Sequence, residues 1–259
     1  MIKEINGVSV CYSRSGQQGG KVLLLHGWGC DSGMMNPIEE ALKGEHEVFS
    51  LDFPGHGKSG RPPEPWGVPE YAECLLHLLK ETGFYPCDVI AHSFGCRVAT
   101  WIATEYPELF RKMIFTGAAG IRPKQSEEAK KRSEQYRKLK KAAEKIGKLP
   151  LMSSAARRMQ DMLRQKYGSR DYNALDEEMR KTFVKVITLD LTDRYDKIRQ
   201  STLLIWGDAD TETPLWMAKE MEKRIPDCGL VLLEGGTHFA FLEQRDRFNT
   251  IARFFLSEG

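Results

Sequence analysis

The first residue whose setting suggests chemistry is a serine between a strand and a helix. In VIAHSFG, Ser93 follows the apolar run DVIA and precedes the helical pattern CRVATWIA. A strand that turns straight into a helix crowds its own backbone, so the positions two before and two after the serine must be small. Here they are Ala91 and Gly95. A serine hydroxyl is a poor nucleophile until a base takes its proton, and that base must be oriented by a third group. Downstream, IWGDAD ends a strand with Asp208 and Asp210, and EGGTHF places His238 after the last strand. Of the six histidines only His238 lies beyond these carboxylates. The order serine, acid, histidine suits a nucleophile carried on such a turn. Asp210 is favoured as the acid because the loop must carry it outward, which leaves Asp208 as a turn or capping residue.

Attack on a carbonyl also requires two N–H donors aimed at the developing oxyanion, each worth about 3 kcal/mol. The amide of Phe94, directly after the nucleophile, is one candidate. The other is the amide of Trp28 in HGWG, where glycines at 27 and 29 let the loop fold back towards the serine. His26, Gly27, Trp28 and Phe239 border these pieces and are expected to contact substrate. Phe94, Phe241 and the methionines Met152, Met159 and Met162 are further candidates for an apolar acyl pocket.

Several short elements must hold these groups. Strands are expected at Val8–Tyr12, Lys21–His26, Glu47–Leu51, Cys87–Ala91, Lys112–Thr116, Thr202–Trp206 and Leu230–Leu233, most of them continuous apolar runs typical of buried parallel strands. Helices are expected at Pro69–Glu81, Phe94–Glu105, Leu215–Lys223 and Asp246–Leu256. Strand and helix alternate, which predicts an α/β fold with a mostly parallel sheet covered on both faces.

The alternation breaks between residues 121 and 200. This polar stretch is rich in good helix formers, as in EEAKKRSEQYRKLKKAAEKI, and is punctuated by glycine. It reads as a helical cap inserted into a core domain made of residues 1–120 and 201–259. Its charge is lopsided: residues 121–185 carry 19 Lys/Arg against 9 Asp/Glu, although the whole chain has a net charge of only +2.

At 259 residues, with 41% hydrophobic and 29% charged side chains, the chain suits one globular domain with an insertion. No apolar run approaches the roughly 20 residues that span a bilayer. MIKEINGVSV lacks a basic region followed by an apolar stretch, so no secretory leader is expected and the expected compartment is the cytoplasm. The six cysteines are scattered, which predicts free thiols in a reducing compartment. No cluster shows metal-ligand spacing, and no nucleic-acid recognition motif is present.

In order, HGWG, DFPGHGKS, AHSFG, WGDAD and GGTHF resemble the landmark loops of the α/β-hydrolase superfamily. Within it, HGWG with a lid-like insertion is similar to the carboxylesterases that release methanol from pimeloyl-carrier-protein methyl ester. C–C bond hydrolases and cofactor-free haloperoxidases are also similar. The resemblance points to Asp210 as the acid and implies a Ser93–His238–Asp210 triad with no cofactor. The implied activity is cleavage of a small to medium acyl ester through an acyl-enzyme. A C–C hydrolase or perhydrolase using the same triad, or a non-catalytic ligand-binding protein of the same fold, stays open. The expected partner is a small-molecule ester. For the basic cap two readings stay open, docking of an acidic acyl carrier protein by electrostatic steering or a solvated helical surface with no partner. No nucleic-acid or membrane partner is expected. Ala91 stands where the family usually has glycine, and Cys96 where a glycine often sits. A serine at position 93 argues against the alkyl-enzyme chemistry of haloalkane dehalogenases, which needs a carboxylate.

Overall fold

The computed structural model describes residues 1–17, 19–122, 127–147, 153–167 and 170–257. Eight strands form one sheet: β1 (Ile2–Ile5), β2 (Val8–Ser15), β3 (Lys21–Leu25), β4 (Glu47–Leu51), β5 (Cys87–His92), β6 (Phe110–Thr116), β7 (Ser201–Gly207) and β8 (Cys228–Leu233). Their spatial order is β1-β2-β4-β3-β5-β6-β7-β8. The pairs β1/β2 and β2/β4 are antiparallel, and every pair from β4 to β8 is parallel. The chain therefore has the α/β-hydrolase architecture.

The two-residue period of a strand explains how both faces are covered. Leu23, Leu25, Phe49, Val89, Ala91, Phe115, Leu204 and Trp206 join one apolar cluster, shared with α2 (Val68–Thr82) and α3 (Phe94–Glu105). Their alternates Val22, Leu24, Val48, Ile90, Ile114 and Ile205 join another. That second face is covered by α1 (Asn36–Leu42) and, at the end of the chain, the helix Arg245–Ser257.

Residues divide into two compact units, one of Met1–Arg122 with Val184–Gly259 and one of Pro123–Phe183. The second unit holds α4 (Glu127–Gly147), α5 (Ser153–Tyr167) and α6 (Arg170–Ala174), and the boundary falls within α7 (Glu177–Thr188). Helices α4 and α5 pack on each other. Arg132 Nη2 donates to the Lys166 carbonyl at 3.1 Å, and the Tyr136 and Tyr167 rings lie 5.5 Å apart. The insertion expected over 121–200 is thus drawn too wide. Residues 184–200 belong with the sheet because Val186, Leu191, Tyr195 and Ile198 are buried in its larger apolar cluster. The first unit is completed by α8 (Leu215–Arg224), α9 (Ala240–Glu243) and α10 (Arg245–Ser257). All six cysteines are free thiols. Among the described residues no helix is long and apolar enough to cross a membrane.

One close approach in the core lies beside the Ser93 turn. A Cβ on Gly95 would stand 2.6 Å from the Leu25 carbonyl oxygen and 2.8 Å from the Leu25 Cβ, so α3 meets β3 with only a hydrogen between them. Gly95→Ala is expected to cost about 2 kcal/mol or more through overpacking. Urea unfolding checks this, and an unchanged midpoint would contradict the contact.

Candidate active site

Ser93 links β5 to α3 with φ 49° and ψ −106°. A non-glycine residue held there stores strain of order 1–3 kcal/mol, which surrounding bonds must offset. Its N–H donates to the Thr116 carbonyl at 3.1 Å, and its own carbonyl accepts from Cys96 N at 3.1 Å and Ala119 N at 3.3 Å. The turn is thereby tied to the end of β6 and to the first turn of α3. Ala91 and Gly95 are both buried, as a crowded turn requires.

Asp210 stands in the loop after β7 and His238 in the loop after β8. These strands are parallel neighbours, so both loops leave the same edge of the sheet. Ala209 N donates to the Gly236 carbonyl at 3.0 Å, joining the two loops directly. His238 Nδ1 donates to Asp210 Oδ2 at 2.9 Å. A carboxylate at that distance accepts only, which puts the proton on Nδ1 and leaves Nε2 as the basic nitrogen. Asp210 also accepts from Glu212 N at 2.8 Å, Thr213 N at 2.9 Å and Thr213 Oγ1 at 2.7 Å. Burial alone would raise the Asp210 carboxyl, but the bonds from His238 and from Thr213 outweigh it and hold the group below its ordinary value. Asp208 does different work: its exposed carboxylate accepts from Gly235 N at 2.7 Å and caps the turn that leads to His238.

His238 and Ser93 converge on the segment after β6. Gly117, at φ 52°, lies so close to the His238 ring that a Cβ would stand 2.9 Å from Nδ1. His92, the residue before Ser93, packs on His238 with ring centroids 4.7 Å apart. Its Nε2 donates to the His238 carbonyl at 3.0 Å. Burial, and then the nearby charge of His238, push the His92 imidazole down to about 3.

On the HGWG side, Gly27 closes on Ser93: a Cβ there would be 2.7 Å from His92 Nδ1 and 3.4 Å from Ser93 Cβ. Gly29 adopts φ 72°, and Cys30 N donates back to the Gly27 carbonyl at 3.3 Å. Trp28 is half-buried, with its ring edge-on to Phe94 at 5.4 Å and His56 at 4.7 Å. Phe94 opens α3, where a helix leaves its first N–H groups without intrahelical partners.

His26 is not at the surface of this site. Its ring is fully buried, donating from Nδ1 to the Gly27 carbonyl at 2.7 Å and accepting at Nε2 from Phe53 N at 2.9 Å. Expected to touch substrate, it instead pins HGWG to the loop after β4. Burial, and then the charge of neighbouring His56, lower it to about 3. Phe241 and the Phe94 side chain are likewise buried among aromatic neighbours and line no open surface. Phe239 does remain open, 37% exposed and 5.4 Å from the His238 ring. Met159 is half-buried and Met162 exposed on α5, while Met152 lies outside the described residues. Thr213, Gly117 and the bracing roles of His26 and His92 were not foreseen. Trp206, which the sequence marks only as a strand residue, donates from Nε1 to the Thr213 carbonyl at 2.9 Å.

A profile of the alpha/beta hydrolase family matches residues 22–251. The chain belongs to that family. A pimeloyl-[acyl-carrier protein] methyl ester esterase of Neisseria meningitidis serogroup B is 24% identical over 255 residues, covering 92% of this chain and 93% of that protein. Its counterpart in Shewanella woodyi is 26% identical over 249 residues, covering 90% and 92%. Among solved structures, the enol-lactonase of Burkholderia xenovorans superposes with a TM-score of 0.76 at 20% identity, covering all of both chains.

The buried histidines make stability depend on pH. In the unfolded chain a histidine takes up a proton below about 6.5, whereas folded His26 and His92 do so only near 3. The unfolded state binds more protons across that window, so stability falls as the pH drops through it, by about 1.4 kcal/mol per pH unit for each histidine. Urea midpoints between pH 7 and 5 check this. A flat profile would contradict neutral burial of either ring.

Proposed function

We propose that this member of the family is a serine hydrolase that cleaves a carboxylic ester through an acyl-enzyme. The observation that carries the reading is the bond of 2.9 Å between His238 Nδ1 and the buried Asp210, set beside a serine in a strained turn. The family match and the esterase names of the two relatives support it.

His238 Nε2 takes the hydroxyl proton as Ser93 Oγ attacks the carbonyl carbon. The amides of Phe94 and Trp28 receive the charge on the carbonyl oxygen. The tetrahedral adduct collapses when His238 returns the proton to the leaving alcohol, and Ser93 is left acylated. Water repeats the sequence: His238 takes its proton, hydroxide adds to the acyl carbon, and Ser93 leaves with the proton restored. Asp210 keeps the imidazole in its Nδ1–H form and stabilises the imidazolium that appears twice in the cycle. The Gly27–Trp28 segment and Phe239 form the rim that meets substrate.

The charge of the insertion supports a carrier-bound substrate. With 19 Lys/Arg against 9 Asp/Glu over residues 121–185, it would attract an acidic acyl carrier protein by long-range steering. The methyl ester esterases similar to this chain bear an acyl-carrier-protein substrate in their names. Raising the ionic strength from 50 to 500 mM is then expected to depress kcat/KM on a carrier-linked ester but not on a free one.

Hydrolysis of p-nitrophenyl acetate, butyrate and octanoate tests the chemistry. Ser93→Ala is expected to fold normally and lose at least roughly 1000-fold in kcat, and Asp210→Asn to lose roughly 10⁴-fold by presenting the wrong tautomer. Undiminished turnover by Ser93→Ala would overturn the assignment.

A further inference from the structure

The hydroxyl of Thr213 makes contacts that the proposed reaction does not yet use. Thr213 lies in the turn that carries Asp210 and is buried. Its Oγ1 is 2.7 Å from Asp210 Oδ2 and 3.3 Å from His238 Nδ1, while His238 Nδ1 is itself 2.9 Å from that same oxygen. Acid, base and hydroxyl therefore form a closed triangle.

The protons in this triangle follow from chemistry. Asp210 is an acceptor only, and Nδ1 already carries the proton that it donates to Oδ2. The threonine proton must then also point at Oδ2, and the oxygen lone pairs of Thr213 face the Nδ1–H. Each carboxylate oxygen accepts two bonds: Oδ1 from the amides of Glu212 and Thr213, and Oδ2 from His238 and the Thr213 hydroxyl. The hydroxyl is held in place at both ends of its residue. Thr213 N donates to Oδ1, and the Thr213 carbonyl accepts from the fully buried Trp206.

We propose that Thr213 is a positioning residue that sets the basicity of His238 through Asp210. By donating to Oδ2 it draws off part of the negative charge that would otherwise act on the imidazole alone. That moderates the pull which the buried carboxylate exerts on the imidazole. It also fixes the carboxylate plane, so the Nδ1–H bond keeps its direction when the imidazolium forms. A hydroxyl that only capped the turn would affect stability and leave the titration of His238 where it was.

This inference rests on the serine-hydrolase reading, and the test separates the two. An alkyl fluorophosphonate needs no knowledge of the natural ester: Ser93 Oγ bonds to phosphorus, fluoride departs, and His238 takes the proton. Its rate of labelling against pH therefore reports the His238 titration in the free protein. Thr213→Val removes the hydroxyl while keeping shape and backbone amide, and Thr213→Ser keeps the hydroxyl. In Thr213→Val the acid limb is expected to move up by roughly half a pH unit or more, because Oδ2 then acts undiluted on the imidazolium. Thr213→Ser should keep the wild-type limb. Thr213→Ala provides a second loss of the hydroxyl if the valine variant does not fold, with the same upward shift expected. A folded valine or alanine variant with the wild-type limb would overturn the role of Thr213. Wild-type protein that resists labelling at every pH would overturn the serine-hydrolase reading, and this inference with it.

Discussion

The arrangement depends on one buried charge. Asp210 is withdrawn from water, and a carboxylate in that position is costly unless it is paired and hydrogen-bonded. Four donors answer it, and one of them is the imidazole of His238. The requirement shapes the loops around it. The chain after β7 must coil tightly enough to present the Glu212 and Thr213 amides. The chain after β8 must bring His238 back across the top of β7. Gly207 makes that return possible, since a Cβ there would stand 2.2 Å from the Gly236 carbonyl oxygen. The order of the sheet does the rest, placing β5, β6, β7 and β8 side by side with their carboxyl ends at one edge. Ser93, Asp210 and His238 then lie in three separate loops at that one edge.

A second constraint is that the histidines buried around the Ser93 turn and the HGWG loop must stay neutral. Three imidazoles, His26, His56 and His92, are buried, and burial is the largest influence lowering each of them. A protonated His92 packed on His238 would oppose the imidazolium that the proposed mechanism forms twice. Neutral, it donates to the main chain of His238 and steadies that residue. The same logic applies to His26, whose two ring nitrogens bridge the oxyanion loop and Phe53 only in the uncharged form. These rings act as fixed crosslinks between loops, with the strain at Ser93 held in the middle.

Much of this was legible in the sequence, for a physical reason. Buried parallel strands are short continuous apolar runs, so KVLLL, EVFSL and TLLIW stand out from polar surroundings. In such a sheet the loops directly after those runs gather at one edge, which is how Ser93, Asp210 and His238 stand out as candidates. β1 escaped because among Ile2–Ile5 only Ile5 is buried, and α1 escaped because seven residues carry too little periodicity. The insertion was drawn too wide because Val186, Leu191, Tyr195 and Ile198 are spaced thinly through polar sequence. Their burial depends on partners far away in the chain. The same distance hid the supporting residues. His26 meets Phe53 across 27 positions and His92 meets His238 across 146, so no local pattern announces either bond. The choice between Asp208 and Asp210 became a matter of geometry only once one was seen capping Gly235 and the other facing the imidazole.

The central claim is that Ser93, His238 and Asp210 act as one unit that passes an acyl group through the serine. The most direct measurement is rapid-quench mass spectrometry of the protein mixed with excess p-nitrophenyl butyrate. The account predicts a burst of p-nitrophenol no larger than the enzyme concentration, with a butyryl group on the peptide containing Ser93. Turnover of the ester without any acyl adduct, or with the adduct on a different residue, would contradict it.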